Sequence, residues 1–474
     1  MVNFNLTDEQ KRALENIKEF IDSNNQVFIL KGYAGTGKTT LVKTIVEFIK
    51  ERNLDAVLLA TTGRAAKILK EKTSHNTYTI HKYIYTYENT ELDDVKKNIK
   101  HRFRLSENDD PDTTIYIVDE SSMISDSEYN SNIIFGKSGL LTDIFNFIGD
   151  RKIIFTGDPA QLPPVNNIFS AALNADYIKE KFTRYVVEFE LTNVMRYKNN
   201  PGLAANSSYL RIAISAGNIT KNLRIVASKY HPTFQVFNNL EEMIDKYVEI
   251  IHRKSVDSTI FITNSNNQTN YLNSLVRQKL FTTNKTVNKG ESLIVIQNNE
   301  KYNLANGDII RADTDVENAE NLIVKRVVKD KTGNIKNTDV LNFYFSDINI
   351  LANRGNGLER LDVKLLLDSL QLSSRNLNHV QEFMLYYNFI KENNFDKQKI
   401  AENILTDEYL NALRVKYGYA ITCHQSQGGE WEDVFLQLEK NMFYMPKEQL
   451  YRWVYTAISR STKNIYLLDN YCIW

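Results

Sequence analysis

The run Gly32-Tyr33-Ala34-Gly35-Thr36-Gly37-Lys38-Thr39 frames four residues with glycines and follows them with a lysine and a hydroxyl. Glycines let successive backbone N–H groups turn into one concavity, and a helix start beneath them favours an anion. Lys38 adds a point charge suited to the β- and γ-phosphates of a nucleoside triphosphate, and the Thr39 hydroxyl is a ligand for magnesium. This P-loop pattern requires a strand before it and a helix after it. Val27-Phe28-Ile29-Leu30 is a buried-strand candidate, and helical periodicity runs from about Lys38 to Lys50.

A second apolar run, Ile115-Tyr116-Ile117-Val118, ends in Asp119-Glu120. A buried strand that carries acids at its tip suits the partner site of a P-loop. There Asp119 holds the magnesium and Glu120 orients or deprotonates the attacking water. Together the two motifs predict ATP hydrolysis.

Those motifs need a scaffold, and the first half of the chain supplies the pattern of a parallel α/β sheet. Short apolar runs at Ala56–Ala60, Ile115–Val118 and Lys152–Phe155 alternate with helical periodicity. Thr7 to Asp22 reads as an amphipathic helix, with Thr7 and Gln10 in a capping-box pattern. A second α/β set follows at Thr259–Thr263, Tyr419–Thr422, Val434–Leu438 and Ile465–Leu468. Between them, from about Thr282 to Lys416, lie β-type runs (Leu293–Gln297, Ile309-Ile310, Leu322–Val328) and a Thr332-Gly333-Asn334 turn signal. Leu361 to Leu413 reads as helical. The expected architecture is therefore a β-rich module with helical additions, inserted into a second α/β domain.

Composition sets the outer bounds. The 474 residues are 42% hydrophobic and 24% charged, which excludes disorder and small disulfide scaffolds. Cys423 and Cys472 cannot by themselves build a zinc or iron–sulfur site. There is no signal-peptide pattern and no apolar run of about 18 residues, so a cytoplasmic protein with no membrane partner is expected. Lys plus Arg total 58 and Asp plus Glu total 58. Overall charge therefore gives no reason to expect nucleic acid, and any such contact must be local.

The order of motifs resembles superfamily 1 helicases, closest to the RecD-like branch. The resemblance rests on Leu6-Thr7 with Gln10, the P-loop, Ala60-Thr61-Thr62-Gly63-Arg64-Ala65-Ala66, Asp119-Glu120 and Gly157-Asp158-Pro159-Ala160-Gln161-Leu162-Pro163-Pro164. It continues through Val194-Met195-Arg196-Tyr197, Thr422-Cys423-His424-Gln425-Ser426-Gln427-Gly428 and Tyr455-Thr456-Ala457-Ile458-Ser459-Arg460. It implies two RecA-like P-loop domains with ATP between them and single-stranded DNA across their tops. The implied divisions are residues 1–195, with a small pin (1B) insertion at 82–112; 196–281; an SH3-like 2B module at 282–416; and 417–474.

The resemblance also implies roles. Gln10 reads adenine, and the nucleotide set includes Gly32, Gly35, Thr36, Gly37, Lys38, Thr39, Thr40, Arg196 and Arg460. Gln161 senses the γ-phosphate, and Arg196 and Arg460 act as arginine fingers from the opposing domain. Thr61, Thr62, Arg64, Thr79, His81, Thr422, His424 and Gln427 contact DNA. Gln425 stands where relatives often carry lysine, which puts a phosphate contact there in doubt.

Lys96, Lys97, Lys100, Arg102 and Arg104 surround His101 and Phe103. They form either a solvated basic segment balanced by Glu107, Asp109, Asp110 and Asp112, or a duplex-splitting pin with Phe103 at its tip. Lys325, Arg326, Lys329, Lys331 and Lys336 likewise form either an exposed hairpin or the lining of a DNA channel. The expected function is an ATP- and Mg2+-dependent helicase, 5′→3′ by resemblance, acting as a monomer on single-stranded and forked or tailed duplex DNA. Two alternatives are a translocase that displaces proteins without strand separation, and a nucleotide-switched binding module.

Overall fold

Thr7 starts the helix Asp8–Asp22 through the expected capping box: Gln10 N–H donates to Thr7 Oγ1 at 3.2 Å and Thr7 N–H donates to Gln10 Oε1 at 2.9 Å. The structure, a computed structural model, describes residues 6–468 apart from 94–95, 128–132, 198–199, 218, 220, 228–231, 284, 330–331, 333, 355–356 and 375. Gly333 of the turn signal, Lys331 of the second basic group, and Cys472 therefore lie outside the described residues, as do the side chains of Lys329 and Lys336.

The first sheet runs Thr77–Thr79, Ala56–Ala60, Ile115–Asp119, Lys152–Gly157, Val27–Gly32, Val186–Leu191, with every neighbouring pair parallel. Parallel strands must be covered on both faces, and the period of two divides them cleanly. Phe28, Leu30, Ile117 and Ile154 pack with the helices Asp8–Asp22 and Lys38–Glu51. Val27, Ile29, Val118 and Phe155 pack on the other side with the helix Leu140–Ile148. The outer strand Val186–Leu191 gives no continuous apolar signal because, on this edge, burial alternates with Glu188 and Glu190.

The second parallel sheet runs Phe234–Phe237, Ser461–Leu468, Trp431–Leu436, Thr259–Thr263, Ala420–Thr422. Ile260, Ile262, Val434 and Leu436 face the helices Pro201–Ser215 and Lys447–Ile458. Phe261, Phe435 and Tyr466 stack on the opposite face with Tyr247.

Between Thr263 and Ala420 the chain builds an antiparallel sheet, whose order is Glu320–Lys329, Ile335–Asn353, Ile309–Ala312, Ser292–Val295, Val415–Tyr417. Leu361–Leu366, expected to be helical, instead belongs to the strand Leu358–Leu366 paired with Ile335–Asn353. Leu361, Val363 and Leu365 recur every second residue, the strand period. The helical additions are His379–Glu392 and Lys397–Asn403.

A small third element leaves the first lobe as a hairpin, Tyr85–Asp93 paired with Asn98–Leu105, and is joined in parallel by Ile133–Phe135. Phe103 lies well beyond the turn, not at the tip, and packs against Phe135 with ring centroids 4.9 Å apart. Nearer the turn, buried Ile99 enters a cluster with Tyr386, Phe389 and Ile390 of the module's helix. Lys97 Nζ reaches Asp339 Oδ1 at 2.6 Å, and Arg102 pairs with Glu91. The basic segment is thus partly neutralised by the protein itself. Among the described residues no helix is long and apolar enough to cross a membrane, and no cluster of three or more His, Cys, Asp or Glu could hold a metal.

Candidate nucleotide site and nucleic-acid interface

Strand Val27–Gly32 delivers the chain into the loop, and Gly37 caps the helix Lys38–Glu51. Gly35 and Gly37 both have φ +83°, and a Cβ would lie 2.5 Å from Arg196 Cβ at the first and 2.3 Å from Gln10 Nε2 at the second. Only glycine fits either place. Thr36 is buried with its Oγ1 donating to the Tyr33 carbonyl at 2.9 Å. Lys38 Nζ lies along the inner wall of the loop, 2.5 Å from the Gly32 carbonyl oxygen. Thr39 follows in the first turn, and Thr40 is exposed. Gln10 is buried, and its amide is already used: Oε1 caps Thr7 and Nε2 donates to the Thr36 carbonyl at 3.0 Å. In this arrangement it buttresses the loop, where the sequence suggested an adenine reader.

Asp119 ends its strand beside Lys152–Gly157 and accepts from Thr156 Oγ1 at 2.6 Å. Glu120 has φ +53°, a left-handed conformation uncommon away from glycine. Burial and the adjacent Asp119 charge raise its pKa, while Arg460 and Lys38 oppose the rise. A carboxyl with a raised pKa is suited to taking a proton.

The segment Gly157–Pro163 is gripped by the second lobe. Leu162 N–H donates to Thr456 Oγ1 at 2.9 Å, and Gln427 Nε2 donates to the Leu162 carbonyl at 3.1 Å. Arg452 donates to the Pro159 and Gln161 carbonyls. Gln161 is buried, and its Oε1 has no hydrogen-bond partner. That orphan acceptor beside Asp158 marks a polar group with unused capacity in the cleft. Gln427 is itself buried in this interface, and its side chain joins the lobes.

Arg460 is 4% exposed, with Nε donating to the Thr456 carbonyl at 3.1 Å and Nη2 to Ser459 Oγ at 3.0 Å. Arg196 is not delivered from across the cleft: its backbone N–H donates to the Gly35 carbonyl at 3.2 Å, on the P-loop side. Its guanidinium reaches over to pair with Glu430 and to the Ser459 carbonyl at 3.4 Å.

Thr62, Thr79 and Thr422 share one local use. Each is the N-cap of a helix, accepting from Ala65, Lys82 and Gln425 N–H respectively. Accepting an N–H leaves a hydroxyl proton able to donate to phosphate, as at Thr62 and Thr79, whereas Thr422 Oγ1 already donates to Gln425 Oε1 at 3.1 Å. Gln425 completes the box at Thr422, which explains a glutamine where a lysine is often found. Thr61 Oγ1 lies 3.5 Å from the Glu120 carbonyl. His81 and Phe103 both pack against Phe135, with the His81 ring centroid 4.6 Å away, and burial lowers the His81 pKa to about 4. Burial also lowers the pKa of His424. The Arg64 guanidinium of the first lobe stacks on Trp431 of the second at 4.3 Å, and burial pulls its pKa down to about 10.

Three contributors escape the sequence reading: Asp158, Tyr455 and Glu430. Asp158 and Tyr455 sit inside quoted motifs, so their positions were visible, but nothing in spacing tells that they touch each other. Glu430 follows a Gly-Gly pair whose meaning is clear only once Arg64 is seen against it.

Fold and site together define a two-lobed P-loop nucleotide-binding architecture with arginines at the lobe interface. A family model described as an AAA domain matches residues 5–228, and one described as a UvrD-like helicase C-terminal domain matches residues 417–468. The chain is thus similar to superfamily 1 helicases of the RecD and Dda type. It is 26% identical over 506 residues to an uncharacterized protein of Methanocaldococcus jannaschii, covering 97% of this chain and 38% of that protein. It is 28% identical to the ATP-dependent DNA helicase dda of Enterobacteria phage T4, over 61% of each chain. It is 24% identical to the RecBCD enzyme subunit RecD of Buchnera aphidicola, over 97% of this chain and 73% of the relative. The chain therefore spans well under half the length of the archaeal relative.

Proposed function

We propose that the protein is an ATP-dependent DNA helicase that moves on single-stranded DNA and separates duplexes, with 5′→3′ polarity, as a monomer. The observation that carries this reading is the grip on Gly157–Pro163: the same stretch that holds Gln161 in the cleft is bonded through Leu162 to Thr456 and Gln427 of the second lobe. Any change at the γ-phosphate is felt directly by the element that bears Thr422 and His424. Residues 1–195 form the first motor domain with a pin at 82–112, 196–281 and 417–474 form the second, and 282–416 form the inserted module.

Lys38 and the P-loop amides bind the β- and γ-phosphates, Glu120 accepts the proton of the attacking water, and Arg460 and Arg196 stabilise charge on the transferring group. Thr39 and Asp119 offer the hard oxygen donors that suit magnesium, an ion usually held by one or two carboxylates plus phosphate and water. When bound, the ion neutralises charge on the phosphates. Arg64, His81, Thr422 and His424 line the strand, with phosphate contacts that are few and local.

The reading is tested with matched 5′-tailed and 3′-tailed duplexes. Unwinding of the 5′-tailed substrate alone supports it, and preference for the 3′ tail reverses the polarity. ATP turnover without unwinding of either supports the translocase reading. Lys38→Ala abolishes turnover while single-strand binding persists.

A further inference from the structure

Glu430 is a carboxylate at a meeting of cations drawn from both lobes. It pairs with the Arg196 guanidinium and lies 3.8 Å from Lys72 Nζ. Arg460 brackets the residues beside it, its Nη1 donating to the Gly429 carbonyl at 3.5 Å and its own carbonyl accepting from Trp431 N–H at 2.9 Å.

The turn that carries Glu430 is shaped by contact with the first lobe. Gly428 has φ +75°, and a Cβ there would sit 3.3 Å from Ala65 Cβ. At Gly429 an added Cβ would lie 2.7 Å from Arg64 Cζ and 2.6 Å from the Trp431 ring. Arg64 thus presses flat between Gly429 and Trp431, with its Nη1 enclosed and unpartnered. An enclosed guanidinium N–H without an acceptor is costly, and a phosphate oxygen is its natural complement. Anything that draws Arg64 must disturb the turn on which Glu430 rides.

We propose that Glu430 is a positioning residue that competes with the γ-phosphate for the Arg196 guanidinium, and that a nucleic-acid strand engaging Arg64 shifts the Gly428–Trp431 turn and releases Arg196 to the nucleotide. This rests on the helicase reading above and adds to it the route by which a bound strand speeds hydrolysis. The pair is half-buried, so its loss is a modest effect and not a collapse of the site.

The test compares steady-state ATP turnover of the full chain, Glu430→Gln and Glu430→Asp, each with and without an oligothymidylate strand. Removing the competing charge lowers the strand-free KM for ATP by about two- to fivefold, the range of one partly exposed ion pair. Strand-free turnover rises, the saturated rate with oligothymidylate stays near that of the unaltered chain, and the stimulation ratio shrinks. In an Arg196→Ala background the Glu430→Gln effect on KM disappears, because coupled residues are non-additive. Aspartate keeps the charge but shortens the reach, and gives a smaller change in the same direction. A folded variant whose strand-free KM and stimulation match the unaltered chain overturns the proposal, as does an equal fall in both rates. If Glu430→Gln melts early, the aspartate variant decides by the same criteria. Absence of strand stimulation in the unaltered chain overturns instead the helicase reading itself.

Discussion

The Tyr455 hydroxyl donates to Asp158 Oδ2 at 2.8 Å while accepting from the P-loop N–H of Ala34 at 3.1 Å. One oxygen from the second lobe thereby ties the phosphate loop to the Gly157–Pro163 segment. All of these atoms are buried, so Tyr455→Phe leaves a carboxylate and an amide each short of a partner, at a cost of about 1–3 kcal/mol. The expected outcome is a lower urea midpoint and a kcat lower by about tenfold, or ~1.4 kcal/mol. Equilibrium unfolding and steady-state turnover measure the two effects separately.

Arg460 is aligned by its own helix end, through Thr456 and Ser459. Arg460→Ala is expected to bind ATP and lower turnover by about 10³-fold or more, the range for arginine fingers. Arg460→Lys does not restore the rate, because an ammonium cannot reproduce the planar fork. Nucleotide affinity measured by fluorescence, alongside kcat, distinguishes this from a simple loss of binding.

Ile99 is the apolar peg that seats the hairpin on the module's helix beside Tyr386, Phe389 and Ile390. Ile99→Ala removes buried methyl groups at a cost of about 2–5 kcal/mol by the measure of protein cores. Strand separation on a forked duplex falls, while oligothymidylate-stimulated ATP turnover is retained. Equal loss of both activities counts against a role for the hairpin in separation.

His81 is held neutral by burial, its pKa lowered to about 4 from 6.5. Below pH 6.5 the unfolded chain takes up a proton that the folded chain refuses, so stability falls as pH drops from 6.5 towards 4. The slope is at most about 1.4 kcal/mol per pH unit. His81→Phe, which keeps an aromatic ring against Phe135, flattens this part of the pH profile of chemical unfolding.

Much of this was legible because each motif carries its own context. The phosphate loop needs a strand and a helix around it, and Thr7 with Gln10 spells a helix start in four residues. What could not be read is which partner a polar group chooses. Spacing puts Gln10, Thr422 and Gln427 in motifs that face ligands, but it does not tell that Gln10 and Thr422 also close helix starts or that Gln427 donates to Leu162 of the other lobe. The charged neighbours of Phe103 suggest a tip, while the long-range pairing with Ile133–Phe135 decides its place. Leu361–Leu366 lost its strand signal inside a leucine-rich stretch because the period of two lasts only a few residues.

The neutral chain charge fits this pattern, since several basic side chains of the exposed hairpin and the module already have acidic partners within the protein.

The hairpin's seat on the module has a mechanical consequence. The lobes touch at the nucleotide cleft and again, far along the chain, where Ile99 and Lys97 meet the helix and Asp339. Of two such contacts, the one that stays seated is the pivot for motion at the other. If the cleft rocks open while the peg stays seated, the hairpin lies at the fulcrum, where displacement is least. A wedge works best when it stands still, so the proposed strand separation would gain from a hairpin mounted at this seat.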